Sequence, residues 1–208
     1  MPPAQNKDLH GNAPDESDVA VVLIDVINDL EFEGGDRLLP QALPMARRLA
    51  ALAARARSAG VPVIYANDNF GRWRSDFRAL LDRVLGESVR GRPIAELLRP
   101  EPDDYIVLKA KHSAFYSTTL DLVLRYLGTR TLVLGGLTGD RCVLLTASDA
   151  YMRDLRLVVP SDGVASIERG ANRRALEQMR TLFDADVRPS RAVTLRRTVR
   201  RRGRAGAA

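Results

Sequence analysis

The first apolar stretch of the chain is VAVVLI at residues 19–24, six hydrophobic positions without a polar interruption and mostly β-branched. Such a run has no polar face to offer water, so it predicts a strand covered on both sides, as in a parallel sheet. A loop with Gly34 and Gly35 follows. Residues 40–58 then carry Leu and Ala at helical spacing and stop before Gly60, which predicts a helix. The alternation continues down the chain. Residues 61–66, 105–108, 131–134 and 155–159 predict strands, and residues 192–195 a short sixth one. Residues 76–85, 118–127, 140–154 and 171–185 predict helices. Strands alternating with helices imply a three-layer α/β/α fold, doubly wound around a six-stranded, mainly parallel sheet. The polar residues 1–17 predict a flexible segment, residues 18–196 a single domain, and residues 197–208 an arginine-rich tail unable to bury apolar surface.

Composition removes several function classes. A single cysteine, Cys142, excludes an intramolecular disulfide and suits a reducing compartment, so a cytoplasmic location is expected. Two histidines, His10 and His112, leave little for a zinc or iron centre, and no metal or cofactor is expected. No run approaches the roughly 18 apolar residues of a membrane span, and the N-terminus lacks the apolar core of a secretory signal. The net charge is +6, but eight arginines and no acid lie beyond residue 186, so the remainder carries −2. That body offers no basic footprint, and no nucleic-acid partner is expected. A binder of nucleic acid or an acidic surface through the tail is an alternative with steep salt dependence. Only three of 32 basic residues are lysines, and two of them, Lys109 and Lys111, share one segment. In a chain that favours arginine, a lysine suggests a place where a compact ammonium is needed.

Ligands of doubly wound sheets lie at the carboxyl ends of the strands. Asp25 directly follows the first predicted strand, Lys109 the third, and Cys142 the glycine-rich turn after the fourth. Cys142 falls in the first turn of a predicted helix, where backbone amides favour a thiolate and can hold an oxyanion. A cysteine nucleophile also needs a proton acceptor, and both His112 and Asp25 are candidates. Lys109 would balance the negative charges. Asn67, Asn69 and Trp73, in the predicted loop after the second strand, and Phe115 are candidate substrate-binding residues, with turn and core roles as the alternatives. Gly135, Gly136 and Gly139 only loosely match a nucleotide-phosphate loop and follow the wrong strand.

Asp25 in LIDVINDL, Lys109 in LKAKHSAF and Cys142 in GGLTGDRCVLLTASDAY together resemble the signature segments of the isochorismatase-like cysteine hydrolases. This superfamily includes nicotinamidases and N-carbamoylsarcosine amidohydrolase. The resemblance spans roughly residues 19–165 and implies an Asp25–Lys109–Cys142 triad that cleaves an amide or ureide of a small molecule through a thioester. It further implies a cis peptide at Leu137–Thr138, an oxyanion hole from the amides of Thr138 and Cys142, and a homodimer or tetramer. Isochorismatase-type vinyl-ether hydrolysis by Asp25 is the alternative within the family. The chain departs from the family pattern with Ile27, Leu30 and Gly139 where Gln, Phe and Thr are usual. It also lacks the histidine that metal-bearing nicotinamidases carry after the second strand.

Overall fold

The computed structural model describes residues 15–71 and 76–196. Trp73, most of the N-terminal segment and residues 197–208 lie outside them. The strands are β1 (Val19–Ile24), β2 (Val63–Asp68), β3 (Tyr105–Lys109), β4 (Thr131–Leu137), β5 (Arg156–Val158) and β6 (Val164–Ala165). The α-helices are α1 (Gly35–Ser58), α2 (Phe77–Gly86), α3 (Arg92–Leu97), α4 (Leu120–Leu127), α5 (Leu144–Tyr151) and α6 (Arg169–Leu182). All strand pairs are parallel, in the order β3-β2-β1-β4-β5, with β6 also beside β4.

β1 shows why an uninterrupted apolar run is required at the centre. Its residues alternate between two cores: Val19, Val21 and Leu23 face a cluster with α1, α2 and α3. Ala20, Val22 and Ile24 face a second cluster with α4, α5 and α6. The chain leaves β1 towards β2 on one side, while β4 pairs with β1 on the other, so the topological switch lies between β1 and β4. At this seam Gly136 has φ of 125°, and a Cβ there would sit 2.1 Å from the Ile24 carbonyl oxygen. Only glycine lets the two strands end so close together.

Several boundaries differ from the sequence reading, helix α3 has no predicted counterpart, and three differences bear on the site or the ends of the domain. The sixth strand is Val164–Ala165, paired with Gly136 and Leu137, and residues 192–195 do not join the sheet. The outer edge of β4 is already filled by β5 and then β6, so residues 192–195 find no free ladder there. They follow a 3₁₀ turn (Ser190–Ala192) and run across α1, where Val193 is buried and Arg55 donates to the Ser190 and Val193 carbonyls. The second correction is at the N-terminus. Ser17 is buried and its amide donates to Leu127 O at 2.8 Å, so residues 15–17 belong to the domain rather than to the flexible segment. Third, β2 runs on through Asp68, which places Asn67 and Asp68 in the sheet instead of the following loop.

Candidate active site

The carboxyl ends of β1, β3 and β4 converge at the switch. Asp25, one residue beyond β1, takes a left-handed φ of 52°, an unusual conformation for a residue with a side chain. Its Oδ1 accepts the Asp68 amide at 2.7 Å, and its Oδ2 meets Lys109 Nζ at 2.8 Å. Lys109 closes β3 and is 1% exposed, while Asp25 is 5% exposed. The ammonium also donates to the Lys111 carbonyl (3.1 Å), approaches Asp68 Oδ2 (3.7 Å) and lies 3.7 Å from Cys142 Sγ. Lys111 itself is exposed.

Cys142 enters from the other side of the seam. After β4 the Leu137–Thr138 peptide is cis, and Gly139–Val143 forms a π-helical turn leading into α5. The Thr138 carbonyl accepts the amides of Arg141 and Val143 at 3.1 and 3.2 Å, which cinches the turn. Gly139 is needed here for space: a Cβ would lie 2.2 Å from Asn172 Oδ1, which α6 inserts beneath the turn. Asn172 Oδ1 accepts from Ser166 Oγ (3.0 Å), and that hydroxyl accepts the Asp140 amide (3.1 Å). The half-buried thiol lies beside the Lys109 ammonium that pairs with Asp25, and His112 Nδ1 lies 3.6 Å from Sγ.

These contacts set the protonation states. Burial pushes the Asp25 carboxyl up, and the Lys109 ammonium, the Cys142 thiol and the Asp68 amide offset only part of this. Burial acts to lower Lys109, but Asp25, Cys142 and Asp68 outweigh it and hold the ammonium above its ordinary value. Burial, followed by the Asp25 charge, pushes the Cys142 thiol up to about 12. Burial and the neighbouring carboxylate thus act against the thiolate that the helix-end amides favour in the sequence reading.

The structure brings Asp25, Lys109, Cys142 and His112 together, while Asn67, Asn69 and Phe115 are engaged locally and Trp73 lies outside the described residues. Asn67 is fully buried, and its amide both accepts from Ile27 N (3.0 Å) and donates to Ile27 O (2.8 Å). It clamps the chain after β1 to β2 and has no face left for a ligand. Asn69 Oδ1 accepts from Gly71 N in a local turn. Phe115 is 5% exposed, sits in the core with α4 and α5, and carries the Arg153 guanidinium 4.6 Å above its ring. A cleft of about 460 Å³ instead borders the nucleophile turn, lined by Phe32, Glu33 and Arg37 with Thr138 and Arg141. The sequence reading missed Ser166, Asn172 and Thr146. The Thr146 hydroxyl donates to Cys142 O (2.7 Å) and accepts Ala114 N (3.0 Å). Its position four residues after the cysteine was a legible signal for the first of these bonds. Among the described residues no cluster of three or more His, Cys, Asp or Glu is arranged for a metal ion.

The chain matches the isochorismatase domain family model over residues 19–190. It is 34% identical over 172 residues to the isochorismatase family protein YaaI of Bacillus subtilis (strain 168), covering 83% of this chain and 94% of that protein. It is 28% identical to the ureidoacrylate amidohydrolase RutB of Methylorubrum extorquens, over 62% of each chain. Among solved structures, N-carbamoylsarcosine amidase from Thermoplasma acidophilum superposes with a TM-score of 0.64 at 29% identity, covering 84% of this chain and 98% of that one. The parallel sheet with its carboxyl-end cluster and these likenesses agree, and the chain belongs to the isochorismatase family of hydrolases.

Proposed function

We propose that this hydrolase cleaves the C–N bond of a small amide or ureide by transferring the acyl or carbamoyl group to Cys142. The observation that carries this reading is the buried Asp25–Lys109 pair with the Cys142 thiol against it. A thiol held up at about 12 is a poor nucleophile alone, so its proton must leave as sulfur attacks. Asp25, paired with the ammonium that lies 3.7 Å from the sulfur, takes the proton. The amides of Thr138 and Cys142 hold the oxyanion of the tetrahedral intermediate. Asp25, which burial helps to keep protonated until then, gives the proton to the departing nitrogen. The C–N bond breaks, ammonia or an amine leaves, and water later hydrolyses the thioester. Lys109 stays charged throughout, keeps the carboxylate in place and balances the one negative charge as it passes from Asp25 to the sulfur and the oxyanion.

The amidase names among the relatives support this substrate class. A homodimer or tetramer and a cytoplasmic location belong to the same proposal. The test is a panel of small amides and ureides with intact-mass detection of an adduct on Cys142. Hydrolysis by the wild-type protein, with loss of both adduct and turnover in Cys142→Ala, is expected. Full turnover in Cys142→Ala would instead assign vinyl-ether hydrolysis by Asp25.

A further inference from the structure

The sulfur has two kinds of neighbour. Asp25 and Lys109 lie almost wholly out of solvent, whereas His112 is exposed and still brings Nδ1 to 3.6 Å from Sγ. The proposed acylation uses the buried pair and leaves the histidine without a task. Its placement is nonetheless fixed. The next residue, Ser113, is buried and donates its hydroxyl to the Asp149 carboxylate on α5. The residue after that, Ala114, donates its amide to Thr146 Oγ1, the same hydroxyl that donates to the Cys142 carbonyl. The loop bearing His112 is thus tied at two points to the helix that follows the nucleophile, and one tie ends on Cys142 itself. An exposed side chain with such an anchored backbone keeps its distance to the sulfur.

Resting on the thioester reading above, we infer that His112 is a further catalytic residue and serves as general base for hydrolysis of the acyl-enzyme. Once the amine has left, Asp25 is ionised again but stays buried, bound to Lys109 and the Asp68 amide. Water arrives from solvent, and His112 is the solvent-exposed group beside the sulfur. Imidazole is the side chain suited to take and return a proton near neutrality. The water oxygen bonds to the thioester carbonyl carbon as one of its protons passes to His112. The tetrahedral intermediate collapses with rupture of the C–S bond, and the leaving sulfur takes the proton back from the imidazolium. The products are a carboxylic (or carbamic) acid, which ionises in solvent, and the free thiol. No oxidant or further reactant is needed. The two half-reactions then use two bases, the buried one for the thiol and the exposed one for water.

The experiment uses p-nitrophenyl acetate, whose chromophore leaves in the acylation step, with rapid-quench intact-mass analysis of the full-length protein. Wild type and His112→Gln should release one equivalent of nitrophenolate at similar burst rates, with the acetyl group on Cys142 and absent from Cys142→Ala. Hydrolysis of that adduct should slow about 100-fold or more in His112→Gln, so that acetyl-enzyme becomes the dominant steady-state form. Equal rates of adduct loss in the two proteins would overturn the role of His112. A burst slowed as strongly as the hydrolysis would move His112 to the acylation step and equally overturn the inference. Failure of the wild-type protein to form any adduct on Cys142 would remove the thioester reading itself, and this inference with it.

Discussion

Asp25 influences Cys142 in two opposite directions, and a single substitution separates them. As a buried carboxylate it holds the thiol proton in place, contributing, after desolvation, to the rise towards 12. In the proposed mechanism it removes the same proton, as a base, once a carbonyl arrives. Asp25→Asn deletes the negative charge and leaves Lys109 beside the sulfur, so the thiol must become more acidic. The sign for reactivity follows. In the wild-type protein, iodoacetamide labelling of Cys142 should be slow at pH 8 and should still be rising well above pH 9, the ordinary thiol value. In Asp25→Asn the labelling rate at pH 8 should increase and its pH midpoint should fall, while amide turnover drops by about 100- to 10,000-fold. Alkylation followed by mass spectrometry across pH 7–11 reads both limbs. At this scale the meeting of Asp25, Lys109 and Cys142 was legible because each closes or follows a strand or a glycine turn, and strand ends in this fold class share one rim. Asn67 was misread for the converse reason. Its role depends on facing Ile27 across the β1–β2 seam, a pairing forty residues distant that no local pattern encodes.

Elements were legible in proportion to how much of their burial is local. β1 has the bounds its apolar run predicts, and α1 starts five residues before the predicted helix because Pro40 and Pro44 are accommodated inside it. β6 has two residues and exists only because β4 overhangs β5, so its own sequence carries no signal. The nucleophile turn is a similar case. Gly139 reads in the sequence as a loss of the family's threonine, yet in the structure its missing side chain is replaced by Asn172, carried in by α6 and held by Ser166. The pair therefore exchanges volume, and substitutions at the two positions must couple. Gly139→Ala alone forces its Cβ into Asn172 Oδ1 and should lose about 1–3 kcal/mol of stability. Asn172→Ala alone empties that space and leaves Ser166 Oγ without its acceptor. The double variant should be more stable than the sum of the two losses by about 1 kcal/mol or more, a coupling measured in a denaturant double-mutant cycle. Additive losses would show that the turn and α6 are not held by this contact.

On the scale of the whole molecule, the question is where the folded body ends, because sequence pattern and charge mark different places. The charge asymmetry begins beyond residue 186, which invites a cut there to separate a weakly acidic hydrolase from a basic extension. Packing places the boundary later. Asp186 bridges to β5, with its amide donating to Leu157 O and its carbonyl accepting Val159 N. Ser190 then receives two bonds by way of Asp162, whose carboxylate accepts both its amide and its hydroxyl. Beyond it Val193 enters the core on the α1 side, and Arg55 reaches across to the backbone of the same strap. A chain ending at residue 186 would leave Val193's site open, strand Asp162 and Arg55 without these partners, and free α1 from a clasp near its carboxyl end. Loss of one such buried apolar side chain and several partly buried hydrogen bonds should remove about 3–5 kcal/mol. A chain ending at residue 196 retains every contact described above and should unfold within about 0.5 kcal/mol of the full-length protein in urea. It also discards five arginines, so the same two proteins test the tail's charge without disturbing the fold. Equal and negligible retardation of duplex DNA by full-length protein and by residues 1–196 is expected. Binding confined to the full-length protein, falling steeply with salt, would give the arginines a partner of their own.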